Sequence, residues 1–147
     1  MPRIVREAEV AWDGSLSRGS GVANAGTGAF SLPVDLPSRI ADTAEKTSPE
    51  ELLAAAHATC YATSIAGEIA RAGGTVEHLD VHCVITMDEV EGKGHLIVRS
   101  DIDVNARATG IDQAGVERAA RAADEGCPFS ALIRASASVS VRAELAS

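Results

Sequence analysis

Two of the three cysteines in this chain stand where a thiol can do chemistry. Cys60 lies inside the run SPEELLAAAHATCYATS, and Cys127 inside DEGCPFSALI. The first run reads as a helix with a clear start. In the second, Gly126 stops one helix and Pro128 opens the next, so Cys127 faces backbone N–H groups that stabilise a thiolate. A thiol within one helix and a thiol at the mouth of another meet only through tertiary folding. If they meet, the chain carries a dithiol that cycles between reduced and disulfide forms. The third cysteine, Cys83, sits among apolar neighbours in VHCVITM and reads as packing.

Other reactive side chains surround these two. His57 precedes Cys60 by one helical turn and shares its face. With Cys127 it could form part of a zinc site, but no CxxC or HxxxH pair accompanies it, and a histidine packed or hydrogen-bonded beside a thiol is the simpler reading. Ser48, Pro49 and Glu51 form a capping box with proline at the first helical position. That gives Glu51 a structural task and leaves Glu50 free for another. Arg39, in the polar stretch just upstream, can hold a carboxylate with one edge of its guanidinium and a thiolate or peroxide oxygen with the other. Arg18, in the turn LSRGSG, is its rival. There is no GxSxG elbow, no GxxxxGK[ST] loop and no HExxH pair.

The elements that must position these groups follow from periodicity. Residues 3–12 alternate as a half-buried strand, with Val5, Glu7, Glu9 and Ala11 opposite Ile4, Arg6, Ala8, Val10 and Trp12. WDGSLSRGSG turns into a second strand, and AFSLPV is a third. Residues 35–47 read as a polar, irregular loop over a site. The Cys60 helix should run from Ser48 to about Ala72, where two glycines stop it. It is apolar around most of its circumference, as in a helix buried on several sides. VEHLDVHCVITMDEV and GHLIVRSDIDVNA flank an EGKG turn as a long hairpin. GIDQAGVERAARAADEG is an amphipathic helix, and SASVSVRAEL a closing strand. The fold class is α+β, with an antiparallel sheet and one domain over residues 1–147.

Composition bounds the function. The formal net charge of −8 argues against nucleic acid and anionic membranes as partners. No run approaches the roughly 18 apolar residues of a membrane span, and the N-terminus lacks an apolar signal core. A cytoplasmic location is expected, where free cysteines are redox groups, ligands or packing rather than a disulfide framework.

The segments TSPEELLAAAHATCYATS and GCPFSALI together resemble the OsmC/Ohr family of organic hydroperoxide reductases, and AEVAWDGSLSRGSG is similar to the OsmC branch. The resemblance extends over nearly the whole chain. It implies an intertwined homodimer around two central helices and a thiol peroxidase without metal or other cofactor. Cys60 matches the family's peroxidatic cysteine, Cys127 its resolving cysteine and Glu50 its motif glutamate. Arg39 is similar in position to the OsmC-branch arginine, in a loop one residue longer. An organic hydroperoxide and an external thiol or dithiol are the implied partners. Helix-end electrostatics single out Cys127, whereas the resemblance gives first attack to Cys60; Arg39, held by Glu50, would then activate Cys60. Ten residues along one helix put Glu50 about 15 Å from Cys60 and roughly 80° around the axis. Either Arg39 bridges them or Glu50 comes from a partner chain. The rival class is a non-enzymatic dimeric stress or small-molecule-binding protein with spectator cysteines.

Overall fold

The computed structural model describes residues 2–146. Contacts cluster into two compact units, one ending at Leu52 and one beginning at Leu53. The first unit contains an antiparallel sheet of β1 (Ala8–Asp13), β2 (Ser20–Ala25) and β3 (Ser31–Val34), then the short helix α1 (Leu36–Ile40). Helix α2 (Pro49–Arg71) starts in this unit and continues into the second. There it is followed by β4 (Thr75–Val90), β5 (Gly94–Thr109), α3 (Gln113–Gly126), α4 (Pro128–Arg134) and β6 (Ser138–Leu145).

Helix α2 begins where the capping pattern places it. Ser48 Oγ accepts the Glu51 N–H at 3.1 Å, and its carbonyl accepts the Leu52 N–H. The reciprocal half of the capping box is not formed: the Glu51 carboxylate instead accepts the Thr47 hydroxyl at 2.8 Å. The helix ends in a Schellman arrangement. Gly73 takes a positive φ, its N–H reaches the Ala70 carbonyl, and the Gly74 N–H reaches that of Ile69. Its fully buried residues form a single stripe, His57, Tyr61, Ile65 and Ile69, at i, i+4 spacing. The alanine-rich flanks are half-buried, so burial on several sides is not met within one chain.

The second unit holds the main core. Tyr61, Ile65 and Ile69 pack with Ile102, Val104 and Ala106 of β5 and with Val116, Ala119, Ala120 and Ala123 of α3. Each large side chain there contributes about 1.5–3 kcal/mol by leaving water. Tyr61 adds a hydrogen bond from its hydroxyl to the Ala120 carbonyl at 2.8 Å.

The α+β class holds, and three details depart from the sequence reading. β4 and β5 form the expected long antiparallel hairpin, but β6 joins β5 in parallel. A parallel neighbour needs a crossover of a dozen or more residues, and the segment carrying α3 and α4 supplies one. The 35–47 stretch carries the short helix α1 before an irregular segment over 41–47, which side chains hold in place. Asp35 caps α1 by accepting the Ser38 N–H at 2.8 Å and pairs with Lys46 Nζ at 2.5 Å. Ser38 Oγ also accepts the N–H groups of Glu45 and Lys46. Finally, β1 starts at Ala8 and all six of its residues are exposed. It is an edge strand, and Val10 and Trp12 face an open cavity rather than a closed core. Among the described residues no helix is long and apolar enough to cross a membrane.

Candidate active site

The second unit brings Cys60 and Cys127 together, with both thiols free and their sulfurs 3.4 Å apart. A disulfide needs about 2.05 Å, so closing the pair takes a small movement. Cys127 is the N-cap of α4, and its Sγ accepts the Ser130 N–H at 3.4 Å. A cap is ordinarily a hydroxyl or carboxylate; here the reactive atom is itself the cap. Pro128 opens the helix, as the sequence predicts. The Asp124–Arg134 ion pair, at 2.5 Å, ties α3 to α4 on either side of Cys127.

The two sulfurs differ in access. Cys127 is fully buried, whereas Cys60 keeps part of its surface. Burial pushes the Cys60 thiol up, and its contact with Cys127 pushes it further. The Phe129 backbone and the Ser64 side chain act in the opposite direction without cancelling this. The start of α4 therefore touches both thiols, through Phe129 on Cys60 and Ser130 on Cys127. A thiol raised in this way is a poor nucleophile until a positive charge is placed near it.

Within the first unit, Arg39 meets Glu50. Arg39 Nε lies 3.0 and 3.1 Å from the two Glu50 oxygens, and Nη2 lies 2.5 Å from Oε1. Arg39 holds the Glu50 carboxyl below the ordinary range against the opposing effect of burial. Reciprocally, Glu50 raises the guanidinium pKa. The two glutamates are thus engaged separately, Glu50 with Arg39 and Glu51 with Thr47 rather than with the Ser48 N–H of the expected capping box. Arg18 stands in its turn, where its backbone N–H bonds Ser15 Oγ at 3.3 Å. Arg39 also lines a cavity of about 410 Å³ whose wall is otherwise largely apolar, with Val10, Trp12, Leu16, Val34 and Leu52.

His57 is hydrogen-bonded, though not to Cys60. Its Nδ1 lies 2.6 Å from Ser100 Oγ and its Nε2 2.8 Å from Ser130 Oγ. Cys83 Sγ lies 3.3 Å from Ser100 Oγ and 3.9 Å from His57 Nδ1. Burial lowers the His57 pKa, and Arg134 adds to this while Asp124 opposes it. The two serines were missed in the sequence. Ser130 carried a signal, since it stands three residues after a capping position. Ser100 carried none, being one polar residue in an alternating strand.

Residues 42–142 match the family model for OsmC-like proteins. Over 133 residues the chain is 27% identical to the peroxiredoxin OsmC of Escherichia coli (strain K12), covering 90% of this chain and 92% of that one. A crystal structure of an organic hydroperoxide resistance protein OsmC from Legionella pneumophila superposes with a TM-score of 0.73 at 21% identity, covering 97% of this chain and 99% of that one. The organic hydroperoxide resistance protein OhrB of Bacillus subtilis gives 0.71 at 19% identity, covering 94% and 98%. These structures share the fold, and the family match extends across both cysteines, Glu50 and the helix that joins the two units. The chain belongs to the OsmC-like family.

Proposed function

We propose that this protein reduces organic hydroperoxides to alcohols with Cys60 and Cys127, as a single OsmC-like domain working as a homodimer. The observation that carries the reading is the pair of free thiols 3.4 Å apart, one accessible and one buried. The greater access of Cys60 supports a reading in which it attacks first and Cys127 resolves. The names of the E. coli and B. subtilis relatives, a peroxiredoxin and an organic hydroperoxide resistance protein, point to the same chemistry.

The Cys60 thiolate attacks the distal oxygen of ROOH. The O–O bond breaks, RO⁻ leaves and takes a proton to become the alcohol, and Cys60 becomes a sulfenic acid. Cys127 then attacks the Cys60 sulfur as its thiolate. The S–S bond forms, and hydroxide leaves with a proton as water. An external dithiol restores both thiols by two exchange steps and is itself oxidised to a disulfide. Cytoplasmic surroundings would keep that reductant and the three free cysteines reduced.

Arg39 is the cation of this reading, and Glu50 fixes its orientation. In this reading, which rests on the family resemblance, the guanidinium would favour the Cys60 thiolate and offer donors to the peroxide oxygens. The apolar, alanine-rich surroundings of Cys60 suit the alkyl group of the substrate, which gains about 0.8 kcal/mol per buried CH₂. The test is thiol titration during turnover with cumene hydroperoxide, t-butyl hydroperoxide and hydrogen peroxide. Loss of two thiols per chain, fastest with the bulky peroxides, is expected. Hydrogen peroxide matching them would contradict the substrate class, and no thiol loss with any of the three would favour spectator cysteines.

A further inference from the structure

His57 is a buried ionisable side chain that the chemistry above does not use. Both of its ring nitrogens are engaged, by Ser100 Oγ at 2.6 Å and Ser130 Oγ at 2.8 Å. A neutral imidazole has one donor and one acceptor nitrogen, so two hydroxyls satisfy it completely. It has no nitrogen left for a proton transfer with substrate. All three residues are fully buried. Burying three polar side chains is costly unless they are hydrogen-bonded, and here each is held by the others, so losing one hydroxyl leaves the ring unsatisfied.

The positions repeat those of the sulfurs. His57 and Cys60 are three residues apart on α2, and Cys127 and Ser130 are three residues apart at the start of α4. The same two helices are therefore linked twice, one turn apart, by His57 to Ser130 and by Cys60 to Cys127. Ser130 takes part in both arrangements: its hydroxyl meets the imidazole, and its N–H meets Cys127 Sγ. Ser100 anchors the other edge of the ring to β5, in the core sheet.

We infer that His57 is a positioning residue for the resolving step, a strut that fixes the first turn of α4 against α2 and so sets the approach of Cys127 to Cys60. This rests on the assignment of those cysteines as a redox pair. The strut governs the fate of the Cys60 sulfenic acid. With the strut in place, Cys127 captures the sulfur before a second peroxide does. Without it, α4 loosens, capture slows, and a second peroxide oxidises the sulfenic acid to sulfinic acid, itself being reduced to the alcohol. A misplacement of about 1 Å is enough to slow a step substantially.

The experiment compares the parent with Ser130→Ala, Ser130→Thr and His57→Phe. Peptide mass spectrometry after a fixed excess of cumene hydroperoxide gives the ratio of Cys60 sulfinic acid to Cys60–Cys127 disulfide. That ratio should rise about tenfold in Ser130→Ala and His57→Phe. Threonine keeps the hydroxyl and should bring it back towards the parent. A general loss of structure would not be rescued in this way, and thermal melts identify any variant that fails to fold. If His57→Phe does not fold, the alanine and threonine pair decides. A second arm uses diamide, which withdraws two electrons and two protons from a dithiol without peroxide chemistry. It forms the same disulfide, so it reads the strut even if peroxide leaves the thiols untouched, an outcome that would condemn the peroxidase reading alone. Slower cross-linking in Ser130→Ala is expected. An unchanged partition together with an unchanged diamide rate in Ser130→Ala would overturn the inference.

Discussion

Two helices in this protein start with the same device and use it differently. At α2, Ser48 caps the helix, Pro49 opens it, and the next residue, Glu50, reaches out to Arg39. At α4, Cys127 caps the helix and Pro128 opens it, and the cap itself faces Cys60. The first is partly exposed, with the Arg39 and Glu50 side chains 36% and 18% accessible. The second is closed, with Cys127 and Ser130 fully buried. An exposed ion pair adds little stability, because water and salt screen it. A buried thiol contact is held by packing and is hard to rearrange. Under the proposed function the comparison separates two needs: a charge can be supplied by an exposed ion pair, whereas sulfur-to-sulfur geometry needs a rigid interior.

The largest effects should come from the closed start. Cys60→Ser should abolish turnover, since among the described residues Cys60 is the partly accessible thiol that faces a second thiol. Cys127→Ser should permit the first oxidation and then trap Cys60 as sulfinic acid, visible as a mass gain on the Cys60 peptide. Full multiple turnover in Cys60→Ser would break the comparison at its root.

The open start should give a smaller, separable effect. Glu50→Ala removes the carboxylate that orients Arg39 and should slow Cys60 alkylation at neutral pH about tenfold, because the guanidinium no longer keeps the direction from which it would favour the thiolate. Its melting temperature should change little. Glu51→Ala should do the reverse, costing about 1 kcal/mol or less of stability while leaving the thiol alone. A pH series of alkylation rates beside a thermal melt for each variant checks both. Exchanged outcomes would mean that the two glutamates have exchanged roles.

These tests also show how much was legible in the sequence. The beginning and end of α2, the start of α4 at Pro128 and the β4–β5 hairpin follow from local signals, because caps, prolines and glycines act within a few residues. Gly126, by contrast, read as a cap, is the last residue of α3, and Cys127 is the C-cap. The separation of Glu50 from Glu51 was legible for the same reason. Local signals could not show the parallel pairing of β6, which depends on where a crossover returns the chain. The order within residues 35–47 was hidden by its polar composition, although Asp35 and Pro37 are an ordinary cap and first-turn proline. Nothing local joins His57 to Ser100 and Ser130, which lie 43 and 73 residues away in sequence.

The smallest predicted effect concerns the pH dependence of the closed region. Burial holds the His57 pKa below that of a free histidine, with Arg134 assisting and Asp124 opposing. Below the ordinary value of about 6.5 the unfolded chain therefore binds more protons than the native one. Stability should be complete above that value and fall as pH drops through it, until the folded pKa is reached. Glu50, also held low, loses its stabilising contribution only at lower pH, beneath the ordinary carboxylate range. Thermal melts of the parent and His57→Phe from about pH 7.5 to about pH 5 separate the two groups. The parent should lose stability faster over that interval, and parallel curves would remove His57 as the cause.

One measurement bears most directly on the central claim that Cys60 and Cys127 are a working redox pair. The reduced protein is treated with one equivalent of cumene hydroperoxide per chain, free thiols are blocked, and the disulfide is mapped by peptide mass spectrometry. The account predicts a Cys60–Cys127 link with Cys83 still free. All three cysteines remaining free, or a link that includes Cys83, would contradict it.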